Sequence, residues 1–200
     1  MSSFFITFEG LDGSGLSTQA KLLATALKKK KYSVVLTKEP SNSPVSKFIR
    51  EQLKKGNVHT KWFQLFFVAD RLHHTKNVIL PALQKNKIVI CDRYVLSSLA
   101  FGSLDQSIAW LKKANKGFPK ANMTILLSVS PKVCMQRIKK SRGSFQLFEH
   151  EKMLQKVWKT YAALARKDKS ITVLNGNKPA KKVASAVMKL VLRIIKRVKM

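Results

Sequence analysis

The segment FFITFEGLDGSGLSTQ (Phe4–Gln19) decides the fold of this chain. It begins as a short apolar run typical of a buried strand, continues as a glycine-rich turn and ends where a helical pattern begins. Gly10, Gly15 and Ser17 are in register with the phosphate-binding motif G-x-x-x-x-G-K-[ST]. The glycines of that motif let successive backbone N–H groups surround phosphate oxygens, and the helix N-terminus adds a favourable dipole. The segment therefore predicts a phosphate-binding loop over Gly10–Thr18.

Leu16 departs from this motif, which has a lysine at the same position. The lysine of the motif reaches the β- and γ-phosphates and neutralises part of their charge, whereas a leucine carries no charge. The sequence thus predicts phosphate binding through backbone amides, and it leaves open which group replaces the missing cation.

Composition indicates one domain over residues 1–200, because a chain of this length with 45% hydrophobic residues can form a substantial core. No apolar run has the length of a membrane-spanning helix, and the first residues lack the pattern of a secretory signal. Cys91 and Cys134 have no metal-ligand spacing and form no disulfide framework, which favours a reducing compartment. We therefore expect a cytoplasmic protein.

The net charge of +29 arises from 39 basic and only 10 acidic residues. Such a surface attracts anions over long distances, and nucleotides would benefit from this field. The lysines occur in scattered short clusters without interleaved aromatic residues, and no usual nucleic-acid-binding signature is present. The basic amphipathic pattern of residues 179–198 suits packing on a sheet or, less commonly, an anionic membrane. We predict no specific nucleic-acid or membrane partner, and such a contact remains the alternative.

Short apolar runs alternate with longer helical patterns along the whole chain. This alternation predicts an α/β fold, with a five-stranded parallel sheet between two layers of helices. The predicted strands are Phe4–Phe8, Ser33–Thr37, Lys87–Cys91, Met123–Ser128 and Ile171–Leu174. The helices are predicted near residues 17–30, 44–55, 60–84, 95–115, 131–140, 149–167 and 179–198.

Charged residues follow three of these strands, at the edge where parallel sheets bind ligands. Gly10–Thr18 follows the first strand, Lys38-Glu39-Pro40 follows the second and Asp92-Arg93-Tyr94 follows the third. Ser17 occupies the position of the hydroxyl that holds Mg²⁺ in the motif. Asp92 suits a carboxylate that orients the metal or its waters, and a helix cap is its alternative role.

Two further features suit a nucleotide. Asp12 is a carboxylate inside the phosphate loop, where it suits a bond to a sugar hydroxyl, an arginine or the metal shell, or else only forms the turn. Phe67 and Arg71 are four residues apart and share one helix face, so that one can stack on a base and the other can bond to its edge. The alternative is core packing for Phe67 and pairing of Arg71 with a carboxylate.

Four short motifs occur along the chain, each of which is weak evidence for a family by itself. Their order and spacing together are specific. The motifs are Phe8-Glu-Gly-Leu-Asp-Gly-Ser-Gly15, Thr37-Lys-Glu-Pro40, Phe67-Val-Ala-Asp-Arg71 and Cys91-Asp-Arg-Tyr-Val-Leu-Ser-Ser-Leu-Ala-Phe101. With them the chain resembles the thymidylate kinase family over nearly its whole length. The resemblance implies a P-loop NTPase fold with a lid, an enzyme that transfers the γ-phosphoryl group of ATP to thymidine monophosphate (dTMP), Mg²⁺ as cofactor and a homodimer.

The resemblance also implies roles for individual residues. ATP would bind Gly10, Leu11, Asp12, Gly13, Ser14, Gly15, Leu16, Ser17 and Thr18. The acceptor would bind Asp12, Glu39, Phe67, Arg71, Arg93, Ser98 and Phe101. Asp12 and Arg93 would engage its sugar and phosphate region, and Phe67 and Arg71 its thymine ring. The implied metal ligands are Ser17 and Asp92, and the implied catalytic residues are Asp12, Asp92, Arg93 and Arg142.

A lid is implied at about residues 137–149, after the helix that follows the fourth strand. Some family members carry an arginine inside the phosphate loop, at the position of Ser14, and others supply it from the lid. Since Ser14 cannot act in this way, Arg142 is the candidate for contact with the transferred phosphoryl group, with Arg137 second. Gly143 offers a hinge. An ordinary basic loop is the alternative interpretation.

Leu16 is also the main departure from the family pattern. Loss of a phosphate-contacting cation can cost several orders of magnitude in rate, on the scale of a single arginine finger. Arg142 or a lysine such as Lys21 could replace it, or the backbone amides and Mg²⁺ could suffice at a reduced rate. In addition, Gly102 stands where a polar base-reading residue is common, so that base discrimination could be loose.

The sequence therefore predicts an ATP-dependent thymidylate kinase. Relaxed acceptor specificity is a variant of this prediction. A non-catalytic nucleotide-binding descendant of the family is the main alternative, which Leu16 favours. A nucleoside kinase or a basic nucleic-acid-binding protein on the same scaffold is the third hypothesis.

Overall fold

A computed structural model of the chain describes residues 3–55, 60–142 and 150–198. Its strands are β1 (Phe4–Gly10), β2 (Val34–Lys38), β3 (Ile88–Asp92), β4 (Met123–Ser128) and β5 (Ile171–Asn175). They form one sheet in the order β2-β3-β1-β4-β5, and every neighbouring pair is parallel. The predicted five-stranded parallel sheet is confirmed.

The helices of the described residues connect these strands. They are α1 (Leu16–Lys29), α2 (Pro44–Lys55), α3 (Thr60–His74), α4 (Leu80–Gln84), α5 (Val95–Gly102), α6 (Ile108–Ala114), α7 (Pro131–Arg142), α8 (Glu151–Lys167) and α9 (Ala180–Val198). A π-helical turn at Thr75–Ile79 joins α3 to α4, so that the predicted helix over residues 60–84 is one helical run with an irregular turn inside it.

One predicted helix is wrong, because residues 95–115 form two helices rather than one. α5 ends at Gly102, and α6 begins at Ile108. The Ser107 hydroxyl accepts a hydrogen bond from the Trp110 backbone N–H. This side-chain cap satisfies a donor at the start of a helix, so that a new helix begins where continuation of α5 was expected.

The core lies on both faces of the sheet, because successive strand residues point to opposite sides. On one face, Ile6, Phe8 and Ile90 pack with the apolar sides of α1 and α9. On the other face, Phe5 and Leu126 belong to clusters that include residues of α4, α5 and α8. This arrangement gives the predicted three layers. Within the described part of the chain, no helix is long and apolar enough to cross a membrane.

Candidate active site

The turn between β1 and α1 has the backbone that a phosphate cradle needs. Gly10, Gly13 and Gly15 have φ angles of 151°, 78° and 98°, which are strained for residues with a side chain. A Cβ on Gly13 would lie 2.5 Å from the carbonyl oxygen of Cys134, so that close contact with α7 also requires glycine there. At Gly15 nothing lies within 4 Å of such a Cβ, and this side of the loop is open.

The polar groups of this loop suit a phosphate group. Ser14 Oγ is buried and has no hydrogen-bond partner among the described residues. α1 begins directly after Gly15, which provides no side-chain cap, so that the first N–H groups of the helix remain available. Free amides, a hydroxyl and the positive end of a helix dipole together attract an anion.

Leu16 belongs to the hydrophobic core. Its side chain is 5% exposed and joins the apolar cluster formed by β1, α1 and α9. Its Cδ2 atom would lie 3.5 Å from a Cβ on Gly10, which shows that the leucine packs against the base of the loop. The position stabilises the fold by about 1.5–3 kcal/mol, the usual contribution of a buried leucine, and brings no charge to the phosphates.

Ser17 and Asp92 provide a pair of oxygen atoms suited to Mg²⁺. The Ser17 hydroxyl donates a hydrogen bond to Asp92 Oδ2, because β1 and β3 are neighbours and both residues lie at the carboxyl edge of the sheet. Mg²⁺ typically binds one or two carboxylates together with substrate phosphates and water. Residues 3–55, 60–142 and 150–198 contain no group of three His, Cys, Asp or Glu side chains that could hold a metal.

Arg93 connects the phosphate loop to the other side of the site. Its Nη2 donates to Asp12 Oδ1 at 2.7 Å, and its Nη1 donates to the Gly10 carbonyl at 2.9 Å and to Ser97 Oγ at 3.1 Å. Burial alone would lower the pKa of Arg93, but Asp12 and other nearby carboxylates outweigh it and the pKa is raised. Asp12 thus has an arginine as its partner, which is one of the roles predicted for it.

A cavity of about 170 Å³ opens beside Arg93. It is lined by Asp12, Glu39, Pro40, Leu53, Gln64, Phe67, Arg71, Arg93, Tyr94, Ser97, Ser98 and Phe101. All seven residues expected to bind an acceptor nucleotide are therefore brought together at one cavity, although they come from five separate segments. Their contact with a nucleotide stays a prediction.

Arg71 is buried against this cavity and is paired with a carboxylate, as in the alternative interpretation. Its Nε and Nη2 donate to Glu39 Oε2 at 2.9 and 2.6 Å, its Nη2 also donates to Ser98 Oγ at 3.1 Å, and its Nη1 donates to Asn115 Oδ1. Its guanidinium centre lies 5.1 Å from the centroid of the Tyr94 ring. Since a guanidinium has five N–H groups, these four bonds leave one for a ligand.

The comparisons with known proteins agree with this geometry. A family model described as thymidylate kinase matches residues 8–187. The chain belongs to the thymidylate kinase family. Over 199 residues it is 38% identical to a probable thymidylate kinase of Pyrococcus abyssi and 39% identical to one of Pyrococcus horikoshii, and each alignment covers 96% of this chain and 97% of the relative. A thymidylate kinase of Thermomicrobium roseum is 34% identical over 204 residues, which cover 98% of this chain and 97% of the relative.

A second, exposed cleft of this thymidylate kinase family member is lined by the two predicted metal ligands. This cleft has a volume of about 440 Å³ and is lined in part by Ser17, Lys21, Lys38, His73 and Asp92. Lys21 is exposed and lies one helical turn after Ser17 on α1. An ammonium group therefore lies on the same side of α1 as the hydroxyl.

The lid predicted for this family member lies mostly outside the described residues. α7 continues to Arg142, and residues 143–149 and the Arg142 side chain are not among those described. Arg137 donates from Nη1 to the Ser14 carbonyl at 3.4 Å and from Nη2 to the Gly176 carbonyl at 3.2 Å. Arg137 thus ties α7 to the phosphate loop.

Glu9 lies beneath the site and was not among the residues predicted from the sequence. Glu9 is fully buried; it accepts hydrogen bonds from the Tyr94 N–H at 3.0 Å and from Ser97 Oγ at 2.5 Å. Burial raises the pKa of Glu9 to about 7. An acidic residue at the end of an apolar strand was the available signal, since a buried carboxylate needs such partners.

His74 was also missed. Its ring is fully buried, with Nδ1 3.1 Å from Glu39 Oε1 and Nε2 2.6 Å from Thr37 Oγ1. Glu39 therefore binds Arg71 with one oxygen and His74 with the other, and it joins the wall of the 170 Å³ cavity to the end of β2. The three-residue spacing of Arg71 and His74 on α3 was the signal for a shared partner.

Proposed function

We propose that this chain is an ATP-dependent thymidylate kinase that converts dTMP and ATP into dTDP and ADP. The single observation that carries the proposal is the Asp12–Arg93 ion pair, which lies between an open phosphate loop on one side and the 170 Å³ cavity on the other. A donor phosphate on the loop and an acceptor phosphate at Arg93 would therefore be neighbours. Phosphoryl transfer depends mainly on such positioning and on positive charge around the transferred group.

On the donor side, the amides of Gly10–Thr18 would hold the phosphates of ATP, and Ser17 and Asp92 would hold Mg²⁺. When bound, the metal ion supplies charge neutralisation at the phosphate oxygens. On the acceptor side, Arg93 would face the phosphate of dTMP. Phe67 would stack on the thymine ring, and Ser98 and Phe101 would complete the wall of the base site.

Lys21 is our candidate for the cation that replaces the motif lysine. It lines the cleft that contains Ser17 and Asp92, and its side chain carries no hydrogen bond or ion pair within the described part of the chain. Arg142 remains the second candidate, and a slower reaction supported by the amides and Mg²⁺ alone is the third. A double substitution, Lys21→Met with Leu16→Lys, distinguishes Lys21 from the other two.

The proposal is tested by incubating the purified protein with Mg-ATP and a panel of nucleosides and nucleoside monophosphates. We expect ADP and dTDP in equal amounts with dTMP. Product with several monophosphates would indicate relaxed specificity, and product with nucleosides a nucleoside kinase. Calorimetric binding of ATP without turnover of any acceptor would instead support the non-catalytic descendant and contradict the proposal.

The homodimer and the cytoplasmic location stay predictions. The first rests on the family, and sedimentation would test it. An anionic polymer as partner for the +29 charge would be revealed by strongly salt-dependent binding to DNA or RNA, which we do not expect to be specific.

A further inference from the structure

Gln64 is a buried polar residue of the acceptor cavity, and one of its polar atoms has no hydrogen bond to the described residues. It lies on α3, its side chain is 4% exposed, and it lines the 170 Å³ cavity. Its Oε1 atom is buried and accepts no hydrogen bond from any described residue. Buried side-chain oxygens are nearly always hydrogen-bonded in native proteins, so that an unpaired one beside a cavity points to a ligand.

The position of Gln64 on α3 matches that of the residues expected to hold a base. Phe67 follows three residues later and Arg71 seven residues later, which puts all three on one face of the helix. All three line the same cavity. The carboxamide therefore lies on the same wall as the aromatic ring and the guanidinium.

Gly102 explains why there is space for this carboxamide. A Cβ on Gly102 would lie 3.0 Å from Gln64 Cδ and 2.6 Å from Leu111 Cδ2. The amide of Gln64 thus occupies the space next to Gly102 that a longer side chain at position 102 would need. Members of the family commonly have a polar base-reading residue at the position of Gly102, and here the carboxamide from α3 lies in that space.

The neighbouring polar groups of the wall are already partly used. Arg71 has one unused N–H and can only donate, and Ser98 Oγ accepts from Arg71 while its hydroxyl hydrogen is still available as a donor. Tyr94 Oη is a second buried oxygen that forms no hydrogen bond of good geometry with the described residues, but its ring packs on Arg71 and Phe5 and its hydroxyl lies beside Thr75. Gln64 can both donate and accept, which Arg71 cannot.

We propose that Gln64 determines which base the acceptor site takes, by pairing with the edge of thymine. Its carboxamide oxygen accepts the N3–H group and its NH₂ group donates to an adjacent carbonyl, while Phe67 stacks on the ring. This inference rests on the proposed function and specifies how that site recognises its acceptor. The remaining N–H of Arg71 favours a carbonyl over the amino group of cytosine at the same edge.

The test replaces Gln64 with methionine, which keeps the length of the side chain and removes both hydrogen-bonding groups. The substrates are dTMP and its N3-methyl derivative, which cannot donate from N3. For Gln64→Met we expect kcat/KM for dTMP to fall roughly 10- to 100-fold, as for loss of one bidentate contact to a base, with the KM for ATP unchanged. The wild-type preference for dTMP over the N3-methyl derivative should largely disappear.

Two controls separate recognition from structure. Gln155→Met removes an exposed amide on α8 and should leave both substrates unaffected. The melting temperature of Gln64→Met should equal or exceed that of the wild type, because the lost amide oxygen accepts no hydrogen bond from the described residues. Gln64→Glu keeps the shape of the side chain but loses the NH₂ donor, and it should also bind dTMP more weakly than the wild type. This variant keeps the inference testable if Gln64→Met does not fold.

Unchanged kcat/KM for dTMP in Gln64→Met would overturn this inference and leave the kinase assignment intact. A lower melting temperature with equal losses for ATP and dTMP would indicate a structural role and would also overturn it. If the wild-type protein turns over no acceptor, the proposed function is rejected separately from this inference. The role of Gln64 is then tested by calorimetric measurement of dTMP binding. Weaker dTMP binding by both variants than by wild type would support the inference, and equal or undetectable binding by all three would overturn it.

Discussion

Ser17 and Asp92 are 75 residues apart in the chain, yet the hydroxyl of one donates a hydrogen bond to the carboxylate of the other at the mouth of the phosphate loop. The contact arises because β1 and β3 are neighbours in the sheet and end at the same edge. The two oxygens are thus close enough to bind one cation, which is the role proposed for them.

Asp92→Asn should therefore raise the Mg²⁺ concentration needed for turnover and lower kcat by about 100-fold or more, because one carboxylate charge next to the metal is lost. The measurement is the initial rate as a function of free Mg²⁺. Asp105→Asn, which changes an exposed carboxylate in the segment between α5 and α6, should leave the curve unchanged. An unaltered Mg²⁺ dependence in Asp92→Asn would remove Asp92 from the metal site.

Lys21→Met should lower kcat roughly 10-fold or more if Lys21 provides the charge that Leu16 lacks. The same change made together with Leu16→Lys should cost much less, since the lysine at position 16 then contacts the phosphates. We expect Leu16→Lys to reduce the melting temperature, because a buried leucine is replaced by a charged residue.

The control for this pair is Lys28→Met, which changes an exposed lysine in the last turn of α1. Equal losses from Lys21→Met in the wild-type protein and in the Leu16→Lys variant would mean that Lys21 acts independently of position 16. In that case Arg142, or the amides with Mg²⁺, would be the replacement.

Gly102→Ala should destabilise the fold by about 1–3 kcal/mol, the usual cost of overpacking, because the new methyl group would meet Leu111 and the Gln64 carboxamide. It should raise the KM for dTMP more than the KM for ATP, since Gln64 lines the acceptor cavity and not the phosphate loop. Thermal melting and steady-state kinetics check the two effects. Proportional changes in both KM values would show that Gly102 only supports the fold.

The raised pKa of Glu9 should make the protein less stable as the pH rises. This pKa is raised from 4.5 to about 7 by burial, so that between these pH values the folded state binds a proton that the unfolded state has lost. The free energy of unfolding should therefore fall by up to about 3 kcal/mol as the pH rises from 4.5 to 7, and level off above pH 8. Denaturant unfolding from pH 4.5 to 8.5 measures it. Glu9→Gln should abolish this decrease, and an identical decrease in the variant would assign it to another group.

The parts of the site that could be predicted are those encoded by neighbouring residues. The glycines of the loop, the alternation of strands and helices, and the pairing of Phe67 with Arg71 on one face all depend on short spacings. Even so, the single helix predicted over residues 95–115 is two helices. The Ser107 side chain caps a new helix at Ile108, and the apolar periodicity gave no sign of this break.

The sequence by itself determined the glycine-rich loop and the parallel sheet, because local backbone preferences and hydrophobic periodicity are properties of short segments. The seven acceptor residues were expected mainly from the family resemblance, and their contact with a nucleotide stays a prediction. Only the tertiary structure decided that Leu16 joins the core, that Arg71 is held by Glu39, and that the Gln64 amide fills the space beside Gly102. Burial and hydrogen bonding depend on which distant segments meet, and spacing along the chain does not contain that information.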